Sequence, residues 1–378
     1  MVISGGATLK KEKIYKLIDE KIRRLPPYVE YYVDYNRADD RAKPNPLLSY
    51  LYDYERFFGW LIEEGYHQGE PWEVPLSVLE NLRREDITNF QSYLLRYTKM
   101  EKRSSRNRMI SSLKSLFHYL SQIHEDENGN PLLKRNVMAK VEMKSAKKTP
   151  REQAETLKSR VFKSPEEIMD FLDFVENRYA KVVRDSLERE PVKKRLLHYY
   201  ELNQERDLAF ISLILGSGLR VNEAVSLDLN DIDRVERAVR VERKGKEGKT
   251  AVHISNRAMD DLERYLKIRD DRYPTSSKEK AVFLSLPTGP NRKVERLTKR
   301  AAQEMVLKYT TWYGKPMSVH NLRHSFATVH WRINKDVFAL QSQLGHTDPK
   351  TTQVYSLIFD DTLREEIDKM EDIDWDEL

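Results

Sequence analysis

Four polar side chains near the C-terminus have types and spacings that suit chemistry on a phosphate group. His320 and Arg323 are three residues apart, so on a helix they would share one face. His346 and Tyr355 follow shortly after them. Asp348-Pro349 has the pattern of an N-cap followed by proline at the first helical position, which predicts a new helix that carries Tyr355. The sequence therefore predicts that the tyrosine hydroxyl attacks a phosphate held by the other groups.

Attack on a phosphodiester requires fixed positive charge, because the transition state spreads negative charge over the nonbridging oxygens. The planar fork of arginine can donate two parallel hydrogen bonds, and Arg220 and Arg323 are the candidates. His320 or His346 could donate to the phosphate or take the proton of the nucleophile. A tyrosine hydroxyl has a pKa of about 10, so roughly a thousandth is ionised at neutral pH. Nearby cations must therefore favour the phenolate.

The leaving alkoxide needs a proton donor, and a lysine on a hairpin could supply it. Alternating apolar residues predict a β-hairpin over residues 238–255, with 244–249 as its loop. Lys244, Lys246 and Lys249 all suit this role on physical grounds.

Each of these residues also has an ordinary structural interpretation. Tyr355 alone would more often be a core side chain, and His346 beside Gly345 would more often cap a helix. His320 and Arg323 alone would more often form a surface pair. The order and spacing of the whole set are more informative than any one member.

That order and spacing resemble the tyrosine recombinase family. The matching segments are Gly218–Ala224, Lys244, His320–His324, Leu344–His346 and Tyr355. In this family the histidine and the nucleophilic tyrosine are nine positions apart, as they are here. The hairpin lysine of Xer members follows the first arginine by 24 positions, which selects Lys244. Segments of the N-terminal half, including residues 49–58 and 75–81, resemble the XerS-type members, which are single-protein Xer recombinases of firmicute-like bacteria.

The resemblance implies a role for each residue of the set. Four residues would hold the scissile phosphate: Arg220, His320, Arg323 and His346. Tyr355 would attack it, which forms a 3′-phosphotyrosyl link and releases a 5′-hydroxyl. Lys244 would protonate the leaving 5′-oxygen, and Glu223 would orient neighbouring groups. Because the covalent intermediate keeps the bond energy, neither a metal nor another cofactor is expected.

The resemblance also implies a mainly α fold with two domains. Residues 1–140 are expected to form a helical, SAM-like core-binding domain that contacts DNA. Residues 141–160 would be a basic linker. Residues 161–358 would form an α+β tyrosine recombinase catalytic domain with a small antiparallel sheet, and residues 359–378 an acidic segment exchanged between protomers. Residues 188–205 are charged and predict an irregular excursion on the surface.

The expected function is site-specific recombination of double-stranded DNA, in chromosome dimer resolution and segregation at a dif-like site. Four protomers on two DNA sites would form the active assembly, with a DNA translocase or another accessory protein as a further partner. The alternatives are an integrase of a phage or mobile element, a type IB-like topoisomerase and a DNA-binding regulator without catalysis. Strand exchange between two sites would separate the recombinase from the topoisomerase, and a covalent protein–DNA adduct would exclude the regulator.

Composition and charge are compatible with this function. The chain has 378 residues and no cysteine, which excludes disulfides, zinc–cysteine sites and thiol chemistry. No signal-peptide pattern or long apolar run is present, so a cytoplasmic protein without a membrane span is expected. The net charge is +5, but residues 360–378 hold ten acidic and two basic residues, so the rest carries +13. A basic body predicts a polyanionic partner.

In the N-terminal half, residues 103–123 predict an amphipathic helix whose first half is crowded with cations. These cations oppose the helix dipole, so a bound phosphate would relieve a local electrostatic cost. The predicted DNA contacts are Lys102, Arg103, Arg106, Arg108 and Lys114. The alternative is a charged face in solvent.

Overall fold

The computed structural model describes residues 5–38, 43–98, 100–143, 149–243, 247–275, 279–287, 293–345 and 350–359. The chain divides into two compact units, Met1–Lys147 and Lys148–Leu378. The domain limits predicted above stay a prediction. In the part of the chain that is described, no helix is both long and apolar enough to cross a membrane.

The first unit is helical. Its helices are α1 (Gly5–Ile22), α2 (Pro27–Ala38), α3 (Pro44–Glu63), α4 (Leu76–Asn81), α5 (Arg84–Tyr97) and α6 (Arg103–Gln122). Apolar residues at helical spacing along α3, among them Leu47, Leu51, Phe58 and Leu61, are almost completely buried. They pack against the apolar faces of the other helices in one core. Because the apolar face of α6 is part of this core, the cations of α6 are left on its other faces.

The second unit begins with a helix where a linker is predicted. Helix α7 spans Pro150–Lys158 within the predicted linker 141–160. The hydroxyl of Thr149 accepts from the backbone N–H of Glu152, and the Glu152 carboxylate accepts from that of Thr149, which is a capping box. Ala154 is fully buried. Because alanine is small, it lets another helix approach closely, so this part of the predicted linker is helical and packed.

A long helix also replaces the excursion predicted at residues 188–205. After α8 (Pro165–Asp173), a π-helical turn and α9 (Tyr179–Ser186), helix α10 runs over Glu190–Ser217. Its first half carries the apolar residues Leu196, Leu197 and Tyr200, which pack on the core, with Leu196 and Tyr200 four positions apart on one face. The Tyr200 hydroxyl donates to carbonyl oxygens of the π turn. The prediction of irregular structure was wrong because the density of charge obscured these apolar residues.

The rest of the second unit combines helices with two small antiparallel sheets. The strands are β1 (Ile232–Asp233), β2 (Ala238–Glu242), β3 (Lys249–His253), β4 (Leu284–Ser285) and β5 (Glu295–Arg296). Strands β1, β2 and β3 pair in that order, with Val241 opposite Thr250, and β4 pairs with β5. The helices are α11 (Val221–Val225), α12 (Asn256–Arg272), α13 (Lys299–Trp312), α14 (Val319–Asn334), α15 (Val337–Leu344) and α16 (Lys350–Ser356). The predicted mainly α fold with a small antiparallel sheet is confirmed.

Candidate active site

The turn between α10 and α11 places Arg220. Gly218 ends α10 with φ of 71°, and a Cβ there would lie 2.5 Å from the ring of Phe326, so only glycine fits. Arg220 is the N-cap of α11, and its backbone N–H and Nη1 donate to the two carboxylate oxygens of Glu223 at 2.8 and 2.9 Å. Glu223 therefore binds both the backbone and the half-exposed guanidinium of Arg220, and its predicted orienting role in catalysis stays a prediction.

Arg323 lies on α14 and is buried, with 1% of its surface exposed. Its Nη1 donates to the carbonyl of Gly218, and its Nη2 donates to that of Leu344 at 2.9 Å. Burial and the charge of Arg220 lower the pKa of Arg323 to about 10, against an opposing effect of Glu223. Because desolvation and a neighbouring cation both disfavour the charged form, an anion at the site would stabilise Arg323.

Three guanidiniums converge on the C-terminal end of α15. Arg243, directly after β2, donates to the carbonyls of Ser342 at 2.9 Å and Gln343 at 2.6 Å. Arg323 donates to the carbonyl of Leu344 at 2.9 Å. Arg220 donates to the carbonyl of Gly345 at 3.5 Å. Cations are favourable at a helix C-terminus, where the last carbonyls lack helical partners. Among the described residues, the arrangement holds three positive charges together with one nearby carboxylate, Glu223.

Tyr355 lies on α16 and its side chain is 1% exposed. The hydroxyl oxygen is 2.8 Å from Nδ1 of His324. Burial raises the pKa of Tyr355 to about 12, although the charges of Arg323 and Arg220 act in the opposite direction. Its ring belongs to an apolar cluster with Ala154 of α7. The segment predicted as a linker thus supports the helix that carries the tyrosine.

His320 lies one turn before His324 on α14. The two imidazole rings meet edge to face with centroids 4.2 Å apart. The His320 side chain reaches the surface, but desolvation by nearby protein atoms, followed by the charges of Arg323 and Arg220, lowers its pKa. A lowered pKa leaves the imidazole neutral at physiological pH. It can then donate one hydrogen bond to a phosphate.

The structure brings five of the predicted residues into one region: Arg220, Glu223, His320, Arg323 and Tyr355. Lys244 and His346 lie outside the described residues, so their predicted roles stay predictions. The residues directly before them, Arg243 and Gly345, are described and touch each other. A Cβ on Gly345 would lie 2.6 Å from Nη1 of Arg243.

Sequence reasoning did not assign a role to His324 or Arg243. His324 stands four positions after His320, which is a spacing that places both on one helix face. Arg243 follows Val239 and Val241 at period two, which is the buried face of β2. Both signals are weak without the fold, because a charged residue at the end of a strand is usually in solvent.

The predicted DNA contacts of the first unit differ in solvent exposure and in whether another group of the protein already binds their charge. Lys102 and Arg103 are exposed at the start of α6. Arg106 donates to the carbonyls of Met100 and Glu101, both at 2.7 Å. Arg108 forms two hydrogen bonds with the Asp53 carboxylate, at 2.6 and 2.8 Å.

Asp53 is 2% exposed and also accepts from the Ser112 hydroxyl at 3.0 Å. Arg108 is therefore neutralised by its partner, while Lys114 remains partly exposed. Among the described residues, no group of three His, Asp or Glu side chains could hold a metal ion.

Comparisons with known proteins identify the family. Residues 187–360 match the model of the phage integrase family. The chain is 34% identical over 372 residues to the tyrosine recombinase XerS of Lactococcus lactis subsp. lactis (strain IL1403), covering 96% of this chain and 100% of that protein. It is 33% identical over 376 residues to the tyrosine recombinase XerS of Streptococcus pneumoniae (strain Hungary19A-6), with the same coverage of both chains.

Solved structures of related fold include two proteins in complex with DNA. XerH recombinase, in a pre-cleavage complex with its difH substrate, superposes with a TM-score of 0.57 at 19% identity over 83% of this chain and 76% of that one. The Tn1549 transposon integrase, in complex with transposon right end DNA, superposes with a TM-score of 0.58 at 18% identity over 91% of this chain and 99% of that one. At these identities the likeness establishes the fold, while the sequence relatives establish the family: the chain belongs to the tyrosine recombinases, enzymes that cleave and rejoin DNA strands.

Proposed function

We propose that this chain cuts DNA at one specific site by attack of Tyr355 on a phosphate held by Arg220, His320 and Arg323. The observation that carries the assignment is the position of the tyrosine hydroxyl. It lies in the field of two guanidiniums that are held by backbone carbonyls and by Glu223. This is a place where negative charge on a phosphate and on the attacking oxygen would be stabilised together.

Tyr355 is buried in the structure, and its helix α16 is supported by two other helices. The α16 helix packs on α7 and α14 through small or apolar side chains. The Tyr355 ring is thus held beside the arginines, and its hydroxyl must become exposed when a phosphate enters the site. The hydroxyl contacts an imidazole and lies near cations, so it is not enclosed by hydrocarbon alone.

The remaining roles follow from the family. Lys244 would protonate the leaving 5′-oxygen and His346 would donate to the phosphate, since each directly follows a residue of the arginine–carbonyl cluster. The 5′-hydroxyl of a partner strand would then reverse the reaction. No ATP is required, because the phosphotyrosyl link keeps the energy of the phosphodiester bond.

The biological role we propose is resolution of chromosome dimers at a dif-like site in the cytoplasm. The support is the full-length similarity to proteins named XerS and the difH substrate of the XerH structure. Four protomers on two DNA sites would form the active assembly, with residues 359–378 exchanged between protomers. An accessory DNA translocase would control the reaction.

The decisive test uses Tyr355→Phe and a nicked suicide substrate that carries the target site. The wild type should accumulate a covalent protein–DNA adduct, detected as a band of lower mobility after denaturation. The Tyr355→Phe protein should bind the same DNA with unchanged affinity and form no adduct. An adduct at normal yield from this variant would exclude Tyr355 as the nucleophile.

One control variant and a second substrate sharpen this test. Tyr309→Phe removes another buried tyrosine hydroxyl in the same unit, one that donates to Asp207 at 3.0 Å, and it should leave adduct formation intact. A substrate pair with two complete sites then separates recombination from topoisomerase activity. Recombinant products require strand exchange between the sites, whereas relaxation of supercoils alone would contradict the proposed role.

A further inference from the structure

The contact between Tyr355 and His324 joins two helices at the reacting atom. Nδ1 of His324 on α14 is 2.8 Å from the hydroxyl oxygen of Tyr355 on α16, and the two rings are tilted with centroids 5.7 Å apart. If the proposed function is correct, this oxygen is the nucleophile. An imidazole nitrogen therefore lies at hydrogen-bond distance from the atom that must lose a proton.

Loss of that proton is a chemical obstacle in this site. With a pKa of about 12, only about one Tyr355 hydroxyl in 10⁵ is ionised at pH 7. Arg220 and Arg323 stabilise the phenolate, but a guanidinium has no acceptor and cannot take the proton. A general base has to be within about 2.6–3.2 Å of the group that it deprotonates. His324 meets this geometric requirement.

We propose that His324 is a catalytic residue, whose Nδ1 takes the proton of Tyr355 as the phenol oxygen attacks phosphorus. The Oη–P bond forms while the P–O5′ bond breaks. The phenol proton moves to the neutral imidazole, which becomes an imidazolium ion. The leaving 5′-oxygen takes a proton from the general acid, for which Lys244 is the predicted residue. In the reverse reaction, the imidazolium returns its proton to the departing phenolate, so the cycle balances.

The surrounding groups support this assignment. His324 shares α14 with Arg323, so the base and a phosphate-binding cation are fixed on one rigid helix. His320 packs against the His324 ring and has a lowered pKa, so it adds no positive charge that would oppose formation of the imidazolium. Among the described residues, Arg323 and Arg220 act on Tyr355 itself, and Glu223, Arg243 and His320 lie around Arg323. The guanidiniums favour the phenolate and oppose the imidazolium, while the Glu223 carboxylate and the phosphate that enters with DNA oppose the phenolate and favour the imidazolium.

The test is the pH dependence of cleavage by His324→Asn in the full-length protein. Asparagine keeps an acceptor near the position of Nδ1 but cannot take a proton. Single-turnover cleavage of the nicked suicide substrate would be measured from about pH 6 to pH 9. We expect a loss of roughly 10²–10⁴-fold at pH 7. We also expect the rate to rise about tenfold per pH unit, because only preformed phenolate then reacts.

Two outcomes would overturn the proposal. Cleavage as fast as that of the wild type, or faster, would mean that the contact only holds Tyr355 in its resting position. A slower rate with the wild-type pH profile would mean that His324 acts through packing alone. His330→Gln is the matched control, because it removes another imidazole from α14 at a site away from Tyr355, and it should keep the wild-type rate and profile.

A second measurement keeps the proposal testable if His324→Asn folds poorly. His324→Gln would be combined with a fluorinated tyrosine at position 355, whose phenol is more acidic. Part of the lost rate should return, since an acidic phenol needs less help from a base, and absence of any recovery would contradict the proton-transfer role. Failure of the proposed function is distinguishable: the wild type would then form no adduct, whatever residue occupies position 324.

Discussion

The sequence predicts two groups of cations that meet DNA phosphate, and the structure surrounds them differently. Along α6, Arg108 is bound by the carboxylate of Asp53, so its charge is already neutralised. In the second unit, the predicted Arg323 is bound by backbone carbonyls, as is the neighbouring Arg243, while the predicted Arg220 also pairs with the carboxylate of Glu223. Carbonyls satisfy the N–H groups but carry no net charge. Three guanidiniums therefore share one carboxylate among the described residues, so this group is oriented and keeps a net positive charge, which is what a phosphate in a transition state requires.

Burial adds to this difference. Arg323 is 1% exposed, so its field acts through protein with little screening by water or salt. Lys102 and Arg103 are exposed, so their attraction to DNA is long-ranged but strongly screened. We infer that the arginines at the end of α15 contribute to catalysis, while the exposed cations of α6 contribute to the affinity for DNA.

The largest expected effect comes from Arg323→Ala and Arg220→Ala. Each should lower the single-turnover cleavage rate about 10²–10³-fold, by analogy with loss of one preorganised donor. Arg323→Ala should also lower thermal stability, because the carbonyls of Gly218 and Leu344 lose a buried partner at about 1–3 kcal/mol each. Cleavage assays and calorimetry on both variants would separate the two effects. Near-normal cleavage would remove that arginine from the site.

The next effect concerns Arg243→Met, which keeps the bulk of the side chain but removes two donors. The carbonyls of Ser342 and Gln343 would lose their partners, so the free energy of unfolding should fall by about 1–3 kcal/mol. Denaturant titration measures this change. Arg240→Met on the same strand is a suitable control, because Arg240 is exposed and paired with Asp233 at the surface. Equal stability losses in the two variants would argue against a special role for Arg243.

A smaller effect is expected from Asp53→Asn, which frees the charge of Arg108. If α6 faces DNA, affinity should rise and the log–log salt dependence should steepen by about 0.9. Asp19→Asn is the control, since it also removes one negative charge from an arginine, Arg37, elsewhere in the same unit, although Arg37 keeps a second carboxylate, Asp34, at 4.0 Å. DNA-binding isotherms of both variants at several salt concentrations would measure the affinity and its salt dependence. Identical changes in both variants would show a general effect of charge rather than a contact by Arg108.

The smallest effect is expected from Lys102→Gln and Arg103→Gln. Each should weaken DNA binding a few-fold and reduce the salt slope by about 0.9, with no change in the rate of cleavage once DNA is bound. Saturating single-turnover assays alongside binding titrations measure both quantities. A slower chemical step at saturation would refute the separation of the two cation groups.

The sequence alone determined the chemistry of this protein more fully than its packing. The types and spacing of Arg220, His320, Arg323 and Tyr355 predicted the family, because few arrangements place those groups in that order. Apolar periodicity predicted α3 and α6, since a stripe at helical spacing survives in a single sequence. The same rule failed for residues 188–205, where the high density of charged residues obscured the apolar residues of α10 that pack on the core.

Only the tertiary structure decided which partner each charged group has. No local pattern shows that Asp53 neutralises Arg108 from 55 residues away, or that Arg243 caps carbonyls about 100 residues along the chain. Nor does one show that Tyr355 meets His324. Such contacts depend on how helices pack, and packing is set by many weak apolar contacts summed over the whole core. Residue types and spacing predict which reaction the protein catalyses. The fold sets the charge and the solvation of the groups on which that reaction depends.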